Sequence, residues 1–352
     1  MTRKLTAALA AVAVMGALTA CKSSGTNENV NLLGAGSTFI NPVMTRWTAD
    51  FSQQHPNVRI NYQSVGSGAG IQQVKAGTVD FGASDAPLTD QQMSSMKPVI
   101  QIPESAGPVC ITYNLPGLTN PLRLSDKSMA GLFLGTIKKW NDPQLAKDNP
   151  GVKLPNVGVV ISHRSESSGT TSIFTTYLAA VSPEWQSKVG KGTAVSWPVG
   201  IGGKGSEGVT GNIRNTSGGI GYVELSYAQQ NHLPTASIEN AAGQFVQPTA
   251  DGATAAIAAF TDQLTKDPRV PIVNPPANAA TAYPISGLTF LIIPKDGTDK
   301  AKVTALKQFV QYVITDGQAT AGTLNYAPLP DGIKAYDQQQ LQQMTANGQP
   351  LS

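Results

Sequence analysis

Short apolar stretches alternate with segments of helical period along most of this chain. Val58-Arg59-Ile60-Asn61-Tyr62 alternates apolar and polar residues, the two-residue period of a half-buried strand. Ile71 to Ala76 has helical spacing, and Val79-Asp80-Phe81-Gly82 predicts a further short strand. Thr89-Asp90-Gln91-Gln92 has the form of a capping box and predicts a helix start. Ile100-Gln101-Ile102-Pro103 and the run from Pro108 to Tyr113 predict two strands on either side of a short turn. Val157 to Ser162 predicts a strand, Thr171 to Val181 a helix, and Ile220-Gly221-Tyr222-Val223 another strand. Ala253 to Leu264 predicts a helix and Leu288 to Ile293 a buried strand. Lys302 to Ile314 is amphipathic, with Val303, Leu306, Phe309, Val310 and Val313 on one side. This alternation predicts an α/β fold. No internal repeat interrupts it.

The first residues carry a different pattern. Arg3 and Lys4 precede an uncharged, Ala-rich run from Leu5 to Leu18, and small residues lead to Cys21. That is the layout of a secretory signal peptide over residues 1–20. The apolar run is too short to cross a bilayer core of roughly 30 Å as a helix. Leu18-Thr19-Ala20-Cys21 resembles a bacterial lipobox, which implies cleavage before Cys21 and a lipid on that residue. The other reading is an ordinary signal peptide with a chance Cys. Residues 21–30 are small and polar and read as a tether between anchor and body. No later stretch is apolar enough for a membrane-spanning helix. The body is expected at the outer face of the cytoplasmic membrane or in the periplasm.

Without residues 1–20 the chain keeps 332 residues, with 23 basic against 22 acidic. A near-neutral body gives no support to nucleic-acid binding by a basic face. That length exceeds one small core and predicts two lobes. Cys110 lies in an apolar, strand-like run and has no partner once Cys21 is acylated, so it reads as a buried thiol. His55, His163 and His232 show no metal-ligand spacing, and no cofactor is expected. The four Trp are scattered and form no stacking series. A monomer is expected.

Three segments share one character: Gly34-Ala35-Gly36-Ser37-Thr38-Phe39, Gly66-Ser67-Gly68-Ala69-Gly70, and Ser167-Ser168-Gly169-Thr170-Thr171. Each is rich in Gly and hydroxyls and stands before a helical pattern. Helix starts expose unpaired N–H groups, Gly permits close backbone approach, and hydroxyls add donors. Together they suit a tetrahedral oxyanion. Any one alone reads more simply as an N-cap in a loop. Arg164, between a strand and the third segment, can hold two oxyanion oxygens, and Glu166 is placed to orient it. Asp85, in FGASDAPL, suits an anion site only if the anion brings a proton. Hydrogen phosphate has one to donate, whereas sulfate would leave an unpaired acceptor beside a like charge. Alternatively, Asp85 caps the turn before Pro87. Gly203-Lys204-Gly205-Ser206-Glu207-Gly208 spells a dinucleotide fingerprint, but no strand-turn-helix with a suitable acid is expected there, and it is set aside.

At these residues the chain resembles the periplasmic phosphate-binding proteins of bacterial phosphate ABC importers (the Pst system). GAGSTF, NYQSVGSGAG, VDFGASDAPL, LGTIKKWNDP, GGKGSEGV, GGIGYVE and NYAPLP carry the likeness, in order, along nearly the whole body. The resemblance implies a two-lobed, type II-like binding protein with its ligand in the cleft. The boundary stretches near 103–108 and 274–287 then suggest residues 31–104 plus 284–352 as lobe one and 105–283 as lobe two. It implies phosphate ligands at Thr38, Phe39 (through its N–H), Ser67, Asp85, Arg164, Ser168, Gly169 and Thr170, with Glu166 orienting Arg164. Glu166 stands where the family often has Asp, and GSGAG replaces GSSGG, which removes a second hydroxyl near Ser67. The function implied is non-enzymatic capture of inorganic phosphate and delivery to the importer's membrane permease subunits. The alternatives are another oxyanion (sulfate or molybdate), a secreted phosphatase, or a surface protein for adhesion.

Overall fold

A computed structural model describes residues 29–118 and 121–351. The signal-peptide and lipidation expectations, including Cys21 and most of the tether, lie outside the described residues.

Eight strands form the principal sheet: β1 (Val30–Gly36), β2 (Val58–Ser64), β3 (Phe81–Ser84), β4 (Val99–Tyr113), β5 (Val160–Arg164), β6 (Ile201–Gly203), β7 (Gly219–Glu224) and β8 (Ser286–Pro294). Their spatial order is β2-β1-β3-β8-β4-β7-β5-β6. β1, β2 and β3 are mutually parallel, and so are β5, β6 and β7. β4 joins the two sets. Residues 99–108 pair antiparallel with β8, and residues 109–113 pair antiparallel with β7. The fold is therefore mixed α/β and two-lobed, with β4 running from one lobe into the other.

β4 corrects the sequence reading. The expected turn between Ile102 and Pro108 is absent, and one strand of 15 residues runs through it. Pro103 and Pro108 have no N–H to give to a ladder, which made the segment look like a break. The structure accommodates Pro103 beside a β-bulge, where the register slips between Thr289 and Phe290.

Helix positions follow the apolar spacing, with their starts displaced. Helix α1 (Asn41–Gln54) buries Val43, Met44, Trp47 and Phe51. Helix α2 (Ser67–Ala76) begins four residues before the apolar pattern does. Helix α3 (Gly169–Val181) begins two residues before Thr171, because Ser168 Oγ accepts from Thr171 N–H at 3.2 Å and caps it. The Thr89 capping box is present with both of its hydrogen bonds. The helix expected over Ala253 to Leu264 is two helices, Ala250–Ala259 and Thr261–Leu264, parted at Phe260.

Helix α4 (Gly205–Asn215) is a second correction. It follows β6 and leads to β7, so the Gly-rich run at 203–208 does open a strand-turn-helix. A Cβ on Gly203 would lie 2.6 Å from backbone atoms of Gly208 and Val209, so only Gly lets strand and helix approach this closely.

Aromatic groups fill both lobes. Phe51, Phe81 and Phe309 pack in the first, and Phe133, Phe174, Trp185, Trp197 and Tyr222 in the second. Cys110 is fully buried there, as its apolar setting predicted.

Candidate functional site

Four helix starts meet where the lobes face one another. Ser37 and Thr38 precede α1, and Ser67 opens α2. Gly169 and Thr170 open α3, and Gly205 and Ser206 open α4. The first two starts belong to one lobe and the last two to the other. Ser67 Oγ accepts from the N–H groups of Gly169 (3.1 Å) and Asp85 (3.3 Å), clasping the lobes together. Thr38 Oγ1 accepts from Ser206 N–H at 3.2 Å and lies 2.9 Å from Ser206 Oγ. Thr38, Ser67, Thr170 and Ser206 are all buried. Neither α2 nor α4 is capped by its own N-cap side chain, and their first N–H groups bond to other segments: Gly68 N–H to Ser167 O at 3.1 Å, Gly205 N–H to Glu166 and Ser206 N–H to Thr38.

Arg164 ends β5, and its side chain is only 2% exposed. A buried guanidinium requires partners on every edge. Glu166 Oε1 accepts from Nε at 2.8 Å and from Nη2, while Gly205 N–H donates to the same oxygen at 3.1 Å. Nη1 points the other way and donates to Thr170 Oγ1 at 3.4 Å. Glu166 thus holds one edge of the fork, and Nη1 at the other end reaches Thr170 at the start of α3. His163 stacks on Trp197 with centroids 4.9 Å apart, a packing role.

Asp85 follows β3 and is 3% exposed. Its Oδ1 accepts from Ser37 Oγ and from Thr289 Oγ1 at 3.1 Å, and its Oδ2 from Thr170 Oγ1 at 3.1 Å. Burial pushes this carboxyl above its ordinary range, opposed by the Ser37 hydrogen bond, the Arg164 charge, and Thr289 and Thr170. All three donors lie on other segments, so the carboxylate is not spent on capping the turn before Pro87. A cavity of about 50 Å³ flanks Asp85 on the side of Ile173, Val270 and Leu288, and Arg164 does not line it.

Five of the residues expected to act together form one hydrogen-bonded set, Ser67, Asp85, Arg164, Gly169 and Thr170, while Thr38 bonds across the lobes to Ser206 instead. Two are engaged locally. Ser168 Oγ caps α3, and Phe39 N–H donates to Ser37 Oγ at 3.0 Å, its ring packed edge-on against Tyr326. Sequence reading missed Ser37 as a partner of Asp85, and Ser206 and Thr289 altogether. Ser206 lay inside the run set aside as a false fingerprint. A fourth Gly- and Ser-bearing helix start was the available signal there. Thr289 sits in mid-strand and carried none.

A cleft ringed by helix starts from two lobes, with one buried cation, defines a solute-binding protein. A family model described as a PBP superfamily domain matches residues 22–317. The phosphate-binding protein PstS of Xylella fastidiosa (strain Temecula1) is 42% identical over 88% of this chain and 85% of its own length. That of Pasteurella multocida is 40% identical over 88% and 89%. The chain belongs to this family, the PstS phosphate-binding proteins. A high-affinity periplasmic phosphate-binding protein, solved with phosphate bound, shares the fold at a TM-score of 0.67 and 24% identity, covering 87% of this chain and 92% of that one.

Proposed function

We propose that this protein captures inorganic phosphate between its lobes and delivers it to the permease subunits of an ABC importer. One observation carries the reading: a buried carboxylate and a buried guanidinium share Thr170 Oγ1 inside a ring of helix-start donors. Arg164 and the N–H and hydroxyl donors suit the oxygens of a tetrahedral anion. Asp85 is an acceptor among them, so the anion must donate a proton to it. HPO₄²⁻ does so and SO₄²⁻ does not. The names of its relatives, and a structural neighbour solved with phosphate, support the same ligand. Sites that demand one hydrogen bond reject analogues lacking it by about 10⁴–10⁵.

Thr38, Ser67, Asp85, Arg164, Gly169 and Thr170 hold the ligand, joined by Ser206, with the Phe39 N–H and Ser168 as further ligands at the same helix starts. Glu166 holds the fork of Arg164. The lobes are residues 31–104 with 284–352, and 105–283. Binding is non-enzymatic. Closure couples ligand to permease docking, because one lobe arrangement serves both. The protein works outside the cytoplasmic membrane, anchored there as a monomer by lipid on Cys21. Mass spectrometry of the membrane fraction checks the anchor, and an unmodified Cys21 there removes it. Calorimetric titration of the mature chain with phosphate and with sulfate tests the main reading. Absence of phosphate binding at micromolar concentration, or equal binding of sulfate, overturns it.

A further inference from the structure

A second carboxyl lies behind Asp85. In the pairing of β4 with β8, Pro103 faces Phe290 and Ser105 faces Thr289, so Glu104 is the extra residue of the bulge. Bulges re-aim side chains, and this one turns Glu104 inward. Glu104 is 0% exposed. Its Oε1 lies 3.1 Å from Thr289 Oγ1, and the same hydroxyl lies 3.1 Å from Asp85 Oδ1. Its Oε2 has no partner among the described residues. Gln318 Nε2 donates to its backbone carbonyl at 2.9 Å and holds the bulge in place. The other charged or titratable groups acting on this pair are Arg164 and Glu224, near Asp85, and Tyr62, near both.

A hydroxyl has one hydrogen. Thr289 can give its hydrogen to only one carboxyl, and a proton on the other, donated to Thr289 Oγ1, makes both contacts hydrogen bonds. Asp85 has Ser37 and Thr170 as further donors and faces Arg164. Glu104 has Thr289 alone, and burial, with the Asp85 charge adding, pushes its carboxyl well above the ordinary range. The proton belongs on Glu104. The order of donation is Glu104 to Thr289, Thr289 to Asp85, and the ligand's own proton to Asp85.

We propose that Glu104 is a buried neutral acid that, through Thr289, keeps Asp85 an acceptor, and that Glu104 and Thr289 are positioning residues for discrimination between protonated and fully ionised tetrahedral oxyanions. The proposal rests on the phosphate reading above. Without this chain Asp85 loses a donor, takes up a proton more readily and turns into a donor itself, which sulfate can use.

Difference infrared spectra of the ligand-free mature protein test the proton's location. Glu104→Gln removes one carbonyl band of a protonated carboxyl at neutral pH, while any band from Glu224 stays in both samples. Calorimetry tests the consequence. Glu104→Leu and Thr289→Val each lower the phosphate-over-sulfate preference by about tenfold or more. Glu104→Gln, whose amide still donates to Thr289, restores it to within about threefold of the parent. An unchanged infrared difference, a smaller loss in Thr289→Val, or a change beyond about threefold in Glu104→Gln overturns the proposal. Should Glu104→Leu fail to fold, the Gln and Val variants decide. A parent protein that loses the band on Glu104→Gln yet binds no phosphate overturns the phosphate reading and leaves the proton on Glu104.

Discussion

Gly169→Ala would separate lobe closure from lobe folding. A Cβ at this position would lie 2.6 Å from Asp85 N, 2.7 Å from Asp85 Cβ and 2.6 Å from Ser67 Oγ. Ser67 Oγ can rotate aside, but Asp85 N is backbone of the opposing lobe. The residue is not among those with positive φ, so Ala fits its conformation, and Ala is the better helix former. The clash therefore exists only when the lobes meet. Overpacking of this kind costs about 1–3 kcal/mol. With a factor of ten for each ~1.4 kcal/mol, phosphate affinity falls by about 5- to 150-fold. Titration calorimetry reads that loss. Thermal melting without phosphate should be unchanged or slightly raised, while the stabilisation that phosphate confers shrinks by the lost binding energy. Affinity within about twofold of the parent would refute the reasoning, because these contacts would then not form in the bound state.

Three further outcomes follow from the buried acids. Asp85→Asn places an amide N–H where an acceptor stood, so the preference for phosphate over sulfate narrows by at least about tenfold in competition calorimetry; an unchanged ratio removes Asp85 from recognition. In the parent protein the raised Asp85 carboxyl should take up its proton as the pH falls, so discrimination is full above its pKa and decays below it. A ratio flat from neutral to acid pH contradicts this. Glu224, fully buried, is pushed from 4.5 to about 8 by its burial, against hydrogen bonds from Ser226 and Tyr326. Its folded pKa is raised, so its stabilisation is complete below about 4.5 and is lost as the pH climbs through about 8. The slope is at most about 1.4 kcal/mol per pH unit over that window. Urea denaturation of Glu224→Gln without phosphate should show this slope removed, and curves parallel to the parent's would refute the assignment.

Much of this was legible in the chain. Alternation of period two and period 3.6 gave the α/β class because each strand and helix buries one face, as at Val58–Tyr62 and Lys302–Ile314. Three of the four helix starts are legible because Gly and hydroxyls in consecutive positions mark a helix start that offers backbone and side-chain donors. The fourth, at Gly205 and Ser206, has the same composition, but it also spells a nucleotide motif, and its strand, β6, has only three residues. A strand that short has no period to read. Thr289 and Glu104 were invisible for another reason. Their role depends on a bulge that pairs two residues of β4 against one of β8 across more than 180 positions of sequence. Local pattern cannot reveal a register slip between distant strands, and Glu104 beside Pro103 looked like the edge of a turn. What points to its role is a count of hydrogens on one hydroxyl, and that count becomes possible only when Asp85, Thr289 and Glu104 lie in one place.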